Sequence, residues 1–193
     1  MIWFQEQHIP CVCVTNRHLA GERSFLEQIL RIAGERPKAI VLREKDLSEE
    51  EYEKLARQVL EIGRQEQVPV ILHHFVKTAK VLQAERLHLP LQELIALSEE
   101  DRQQFTCLGT SIHSLDELKS AMQAGASYVF AGHIFPTDCK KDLAPRGLDF
   151  LEEICEQSNI PAYALGGIHE KNARACVSRG AAGIAIMSGA MSW

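Results

Sequence analysis

Eight short apolar runs recur along the chain, spaced so that one helix fits between each run and the next, and this alternation constrains the fold more than any other feature. The runs are Pro10-Cys11-Val12-Cys13-Val14, Ala39-Ile40-Val41-Leu42, Pro69-Val70-Ile71-Leu72, Arg86-Leu87-His88-Leu89, Thr106-Cys107-Leu108-Gly109, Tyr128-Val129-Phe130-Ala131, Ala162-Tyr163-Ala164-Leu165 and Gly183-Ile184-Ala185-Ile186-Met187. Most are apolar on both faces, as strands of a parallel sheet covered on both sides must be. The segments between them carry helical stripes: Phe25, Leu26, Ile29, Leu30 and Ala33; Tyr52, Leu55, Ala56, Val59 and Leu60; Leu115, Leu118, Ala121 and Met122; and Leu148, Leu151, Ile154 and Cys155. Ser48 with Glu51, and Ser114 with Glu117, have the spacing of a capping box ahead of two of these stripes.

Two architectures accept eight such units, a closed (β/α)8 barrel and an open doubly wound sheet. A nucleotide-binding doubly wound sheet would carry a glycine-rich turn after its first strand, but here that strand runs into Thr15-Asn16-Arg17-His18. The glycines stand instead after the seventh and eighth runs, at Gly166-Gly167 and Gly189, where a barrel builds its phosphate site. The expectation is a single-domain α/β TIM barrel over 1–193. Its length of 193 residues is short for a fold that normally takes at least about 200. Only Ser188 to Trp193 follow the last run, so the C-terminal closing helix is expected to be missing or truncated. An exposed apolar groove should then lie beside Phe25, Ile29 and Val177, filled by Met191 and Trp193 or by a partner subunit.

Composition narrows the class. There are 21 Lys+Arg against 26 Asp+Glu, a formal net charge of −5, which argues against a dedicated nucleic-acid binder. No basic segment leads into a long apolar run at the N-terminus, and no run of 18 apolar residues occurs, so a cytoplasmic protein without signal peptide or membrane span is expected. The six cysteines form no C-x-x-C pair and read as free, buried thiols. The histidines show no metal spacing, so no metal site is expected.

In a barrel, chemistry sits at the C-terminal strand ends. Read there, Arg43 and Lys45 suit a carboxylate or phosphate, the alternative being a solvated charge run. Ser111 and His113 follow strand five. His133 follows strand six, where it either moves a proton near neutral pH or is a loop histidine bonded to backbone. Thr137, Cys139 and Lys140 lie on the same loop. Gly166 and Gly167 let backbone N–H groups approach an anion, or else make a tight turn needing positive φ. Ser188 and Gly189 open the last loop and add further donors.

Taken together, Leu42-Arg43-Glu44-Lys45, Gly109 to Ser114 with Glu117, Ala126 to Lys141, Leu165-Gly166-Gly167-Ile168 with Asn172, and Gly180 to Gly189 resemble the thiamine phosphate synthase superfamily. The resemblance spans nearly the whole chain. Within it, the synthase branch couples a pyrimidine pyrophosphate to a thiazole phosphate. It holds Mg²⁺ with an Asn-Asp pair after strand three and an Asp after strand four. The matching positions here read His73-His74 and Pro90-Leu91-Gln92, which lack the hard oxygen ligands Mg²⁺ takes. Synthases also read Gln-Leu-Arg-Glu-Lys where this chain has Val41-Leu42-Arg43-Glu44-Lys45. Gly132-His133 to Lys141 is similar to the TenI-type thiazole tautomerase branch, although Pro136-Thr137 is synthase-like.

The tautomerase resemblance implies cofactor-free isomerisation of a carboxythiazole phosphate to its aromatic form in thiamine biosynthesis. His133 would serve as acid/base, Gly166, Gly167, Ser188 and Gly189 would hold the phosphate, and Arg43 or a lysine would hold the carboxylate. The alternatives are a residual synthase and a non-catalytic regulator binding thiazole or thiamine phosphate. The implied partner is the small-molecule thiazole phosphate, and such barrels are often homodimers.

Overall fold

The structure is a computed structural model that describes residues 2–137 and 143–193. Eight parallel strands close into a barrel in chain order: β1 (Cys11–Val14), β2 (Ala39–Leu42), β3 (Val70–His73), β4 (Arg86–Leu89), β5 (Cys107–Ile112), β6 (Tyr128–Gly132), β7 (Ala162–Leu165) and β8 (Gly183–Ile186). Closure is direct: Val12 pairs with Ala39 of β2 on one side and with Ala185 of β8 on the other. The strands fall on the eight apolar runs, with ends moved by at most a few residues.

The described helices are α1 (Trp3–Glu6), α2 (Phe25–Gly34), α3 (Glu49–Gln65), α4 (Val76–Val81), α5 (Leu91–Ala96), α6 (Glu99–Arg102), α7 (Leu115–Gln123), α8 (Gly147–Gln157), α9 (Glu170–Ser178) and α10 (Ser188–Met191). Their starts follow capping chemistry. Ser48 opens α3 with a reciprocal box: its hydroxyl accepts from the Glu51 amide at 3.3 Å, and the Glu51 carboxylate accepts from the Ser48 amide at 3.0 Å. Ser24 with Glu27 does the same for α2, and His169 with Asn172 for α9. At α7 only half the expected box forms. Ser114 accepts from the Glu117 amide at 3.1 Å, but the Glu117 carboxylate turns to the His113 amide at 2.5 Å.

The strands alternate inward and outward side chains. Val12, Val14, Ala39, Val41, Ile71, Tyr128, Phe130, Tyr163 and Ala185 fill the barrel interior. Residues such as Cys13, Ile40, Leu42, Leu72, Leu87, Leu89, Val129 and Ile184 point out to meet the helices in a larger core. Cys11, Cys13, Cys107, Cys155 and Cys176 are free thiols, buried or half-buried. Burial pushes Cys155 and Cys176 up to about 11, so neither is a ready nucleophile. Among the described residues no helix is long and apolar enough to cross a membrane.

The seam at β8 departs from expectation in one respect. The helix after β8 in this sequence is α10, of four residues. An open groove beside Ile29 does not follow, because Ile29 is fully buried. Met191 is buried there, and Trp193 stacks on Phe4 with ring centroids 5.5 Å apart. Phe4 belongs to α1, whose end is tied to α2 through Gln5 Nε2 and the Glu35 carbonyl, and to α9 through Gln7 Nε2 and the Glu170 carbonyl at 3.3 Å. Met191 and Trp193 thus fill the place expected of them, and the N-terminal turn packs against Trp193 where a partner subunit was the other expectation. Of the residues flanking the expected groove, only Val177 is exposed.

Candidate functional site

A cavity of about 900 Å³ opens at the C-terminal ends of the strands. Arg43, Ser111, His113, His133, Thr137, Gly166, Gly167, Ser188 and Gly189 all line it, although these residues are scattered over most of the sequence. Lys45 is exposed and stands outside the lining, so Arg43 and Lys45 do not share one ligand-facing side as expected. Cys139 and Lys140 lie outside the described residues.

The glycine pair serves two ends at once. Gly166 and Gly167 have φ of 98° and 65°. A Cβ on Gly166 would come within 2.3 Å of the His133 Cβ, and one on Gly167 within 2.4 Å of the Pro136 carbonyl oxygen. Only glycine lets the β7 end lie against the segment after β6. Backbone bonds continue that contact past the strands: the Ile134 amide donates to the Leu165 carbonyl at 2.9 Å and the Phe135 amide to the Gly166 carbonyl at 3.1 Å. Asn172 Nδ2 fixes the Gly167 carbonyl at 2.9 Å. Beside them α10 starts at Ser188, and its first-turn N–H groups have no intrahelical acceptor.

His133 is 5% exposed. Its Nε2 lies 3.3 Å from the Leu143 carbonyl. A carbonyl oxygen only accepts, so this bond puts the ring proton on Nε2 and leaves Nδ1 as the basic nitrogen. Its own carbonyl accepts from the Arg146 amide at 2.8 Å. The histidine is thus bonded to backbone, as one sequence alternative had it, and at the same time lines the cavity.

Three further histidines line the cavity: His73, named above only at the strand-three end, and His88 and the exposed His169, which the sequence alone did not single out. His88 is 3% exposed, with Nδ1 3.0 Å from the Tyr128 hydroxyl and Nε2 3.0 Å from Ser111 Oγ. Burial holds it well below the usual histidine range, and His73 and Arg43 add to this. His73 lines the cavity. Burial first, then the charges of Arg43, His74 and Lys45, pulls it down to about 3. Both rings are therefore neutral near pH 7. His74, just past the end of β3 with φ of 69°, turns away to Glu93 Oε2, 2.9 Å from its Nδ1. The signal for His88 was its strand: in Arg86-Leu87-His88-Leu89 the polar residues alternate with leucines, which places them inward.

On the β2 side, Glu44 is 1% exposed and serves the scaffold. It accepts from Thr15 Oγ1 at 2.6 Å, from the Arg17 amide at 3.0 Å and from the Arg17 guanidinium at 3.2 Å. The Arg43 amide in turn donates to Thr15 Oγ1 at 3.0 Å.

A family model described as thiamine monophosphate synthase matches residues 11–190. The chain is 34% identical over 175 residues to a protein of Aquifex aeolicus (strain VF5) named putative thiamine-phosphate synthase 2, across 91% of this chain and 94% of that one. It is 32% identical over 181 residues to a thiamine-phosphate synthase of Roseiflexus sp. (strain RS-1), across 91% and 75%. Among solved structures it is similar to a thiamine phosphate pyrophosphorylase from Pyrococcus furiosus, with a TM-score of 0.84 and 27% identity over 96% of this chain and 88% of that one. Likeness to FabK from Thermotoga maritima, at a TM-score of 0.68 and 13% identity, is one of fold alone.

Proposed function

The chain belongs to the thiamine monophosphate synthase family, and from that premise we propose that it is a thiazole tautomerase, aromatising a carboxythiazole phosphate by histidine-assisted proton transfer without a cofactor. One observation carries this reading: no carboxylate or carboxamide side chain is among the described residues lining the cavity, whereas four histidines in its wall, His73, His88, His113 and His133, are buried or half-buried. Metaphosphate or pyrophosphate chemistry assisted by Mg²⁺ needs hard oxygen ligands. The strand-three and strand-four ends offer instead a neutral buried His73, a His74 paired with Glu93, and Pro90. Among the described residues no group of three or more His, Cys, Asp or Glu side chains is placed to hold a metal ion. The described residues at these strand ends do not fit magnesium.

Proton transfer needs less. His133, with its basic Nδ1, takes a proton from one ring carbon or returns it at another. The N–H groups around Gly166, Gly167, Ser188 and Gly189 hold the phosphate, and Arg43 holds the carboxylate. Aromatisation of the ring supplies the driving force, so acid/base help of about 10²–10⁴-fold suffices. The names of the relatives favour a second reading, coupling of a pyrimidine pyrophosphate to the thiazole phosphate. One assay separates the two. Freshly made tautomer is mixed with the protein in EDTA and the aromatic product followed by absorbance. The expected result is turnover in EDTA that falls about 10²–10⁴-fold in His133→Asn. No turnover in EDTA, with Mg²⁺-dependent release of pyrophosphate, would establish the coupling reading instead.

A further inference from the structure

A stack of rings that no role has yet absorbed runs from β6 through β4 to the end of β3. His73 lies on His88 with centroids 5.8 Å apart and planes inclined by 15°, and His88 lies on Phe130 at 4.6 Å and 27°. His88 has both ring nitrogens bonded, to Tyr128 and Ser111. His73 does not. Its Nδ1 is buried without a hydrogen-bond partner, while Nε2 is not sealed in this way. A buried polar atom left unpaired is uncommon enough to require a reason. In a neutral imidazole one nitrogen donates and the other accepts. A sealed nitrogen without an acceptor is better left as a lone pair than as an orphaned N–H, which puts the proton on Nε2. Arg43 lines the same cavity, and among neighbouring charges it acts most strongly on His73.

Position adds the second argument. In an eight-stranded barrel closed in chain order, β3 lies opposite β7 and β2 opposite β6. The glycine pair after β7 and His133 after β6 therefore face the ends of β3 and β2 across the mouth. A ligand anchored by a phosphate at the glycines points its far end at His73 and Arg43.

We propose that His73 is a specificity-determining residue which, with Arg43, forms a carboxylate subsite on the β2–β3 side of the mouth, its Nε2–H donating to one carboxylate oxygen of a heteroaromatic acid. The His88–Phe130 stack fixes the ring of His73 from beneath, and Ser111 and Tyr128 fix His88. An uncharged donor beside the guanidinium binds the carboxylate without adding a second cation. This rests on the reading above, in which the ligand carries a phosphate at one end and a carboxylate at the other.

Calorimetry on the full chain tests it with two probes, the aromatic carboxythiazole phosphate and the same thiazole phosphate lacking the carboxylate. His73→Phe keeps a stacking ring and removes the donor; His73→Gln removes the ring and keeps a donor at the Nε2 position. The expected result is that His73→Phe weakens the carboxylated probe about tenfold or more, the scale of one hydrogen bond to a charged group, and leaves the other probe within about twofold. His73→Gln should retain most of the preference for the carboxylate. Should His73→Phe fail to fold, by circular dichroism, His73→Leu replaces it. Equal weakening of both probes, no weakening of either, or a preference kept by Phe and lost by Gln would overturn the assignment while leaving the tautomerase reading in place. Wild-type protein that binds neither probe would overturn both.

Discussion

Between Arg43 and Lys45, two residues with the look of ligand contacts, Glu44 is the one the fold buries. Its carboxylate gathers Thr15 and Arg17, and through Thr15 it sets the backbone that carries Arg43. Arg17 then spans to Asp46, which hydrogen bonds from Arg17 and His18 hold well below the usual carboxylate range. A charged tetrapeptide thus divides into scaffold and site according to which side chains turn inward, a distinction residue types alone do not make. The buried histidines have a thermodynamic consequence at this same scale. His73 and His88 bind a proton less readily folded than unfolded, so the unfolded chain takes up protons first as pH falls. Their contribution is fully present above the unfolded value of about 6.5. It is lost as pH falls below that value, down to about 3 for His73, with a slope of at most ~1.4 kcal/mol per pH unit for each histidine. The urea midpoint should therefore drop between pH 7 and pH 5, and His73→Gln should flatten that drop by one histidine's share. An unchanged slope would mean that His73 titrates normally in the folded state.

At the scale of elements, the junction of β6 and β7 concentrates the most constraint. Gly166→Ala places a Cβ within 2.3 Å of the His133 Cβ at a residue whose φ is 98°. A destabilisation of at least ~1 kcal/mol is expected where alanine is forced to positive φ, together with loss of activity, because His133 must move. Denaturation curves and the tautomer assay measured on the same variant check both. The strands and the longer helices were legible because each is decided locally: apolar runs in a doubly covered sheet, stripes at helical period and capping residues at the right offset. Ser48 and Glu51 close their box as read. Ser114 and Glu117 do not, because the His113 amide, brought close by the end of β5, competes for the carboxylate. Similarly, α4 to α6 are four to six residues each, too short for a periodic signal to build up.

For the molecule as a whole, closure is the property on which everything else depends. Strands eight and one must pair, and the seam between them must be covered on the outside, although the helix after β8 has only four residues. Phe4, Met191 and Trp193 supply that cover over Ile29, with Gln28 Nε2 donating to the Ala190 carbonyl at 2.9 Å. Phe4→Ala should cost about 3–5 kcal/mol, the range for truncating a buried phenylalanine, read as a lower urea midpoint; a change under about 1 kcal/mol would show that α1 contributes little to closure. Sequence alone determined the number and order of strands, the barrel, the family resemblance, and the strand ends at which Arg43, Ser111, His113, His133 and the glycines would be found. It did so because strand and helix patterns are local, and because a barrel always gathers its strand ends on one rim. Only the tertiary structure decided that Lys45 stays in solvent, that Glu44 belongs to the scaffold, that the first turn of the chain covers the last strand, and that His73 and His88 stack beneath the mouth. Each of those depends on which side chain meets which across the barrel, and such contacts join residues far apart in sequence that no local pattern relates.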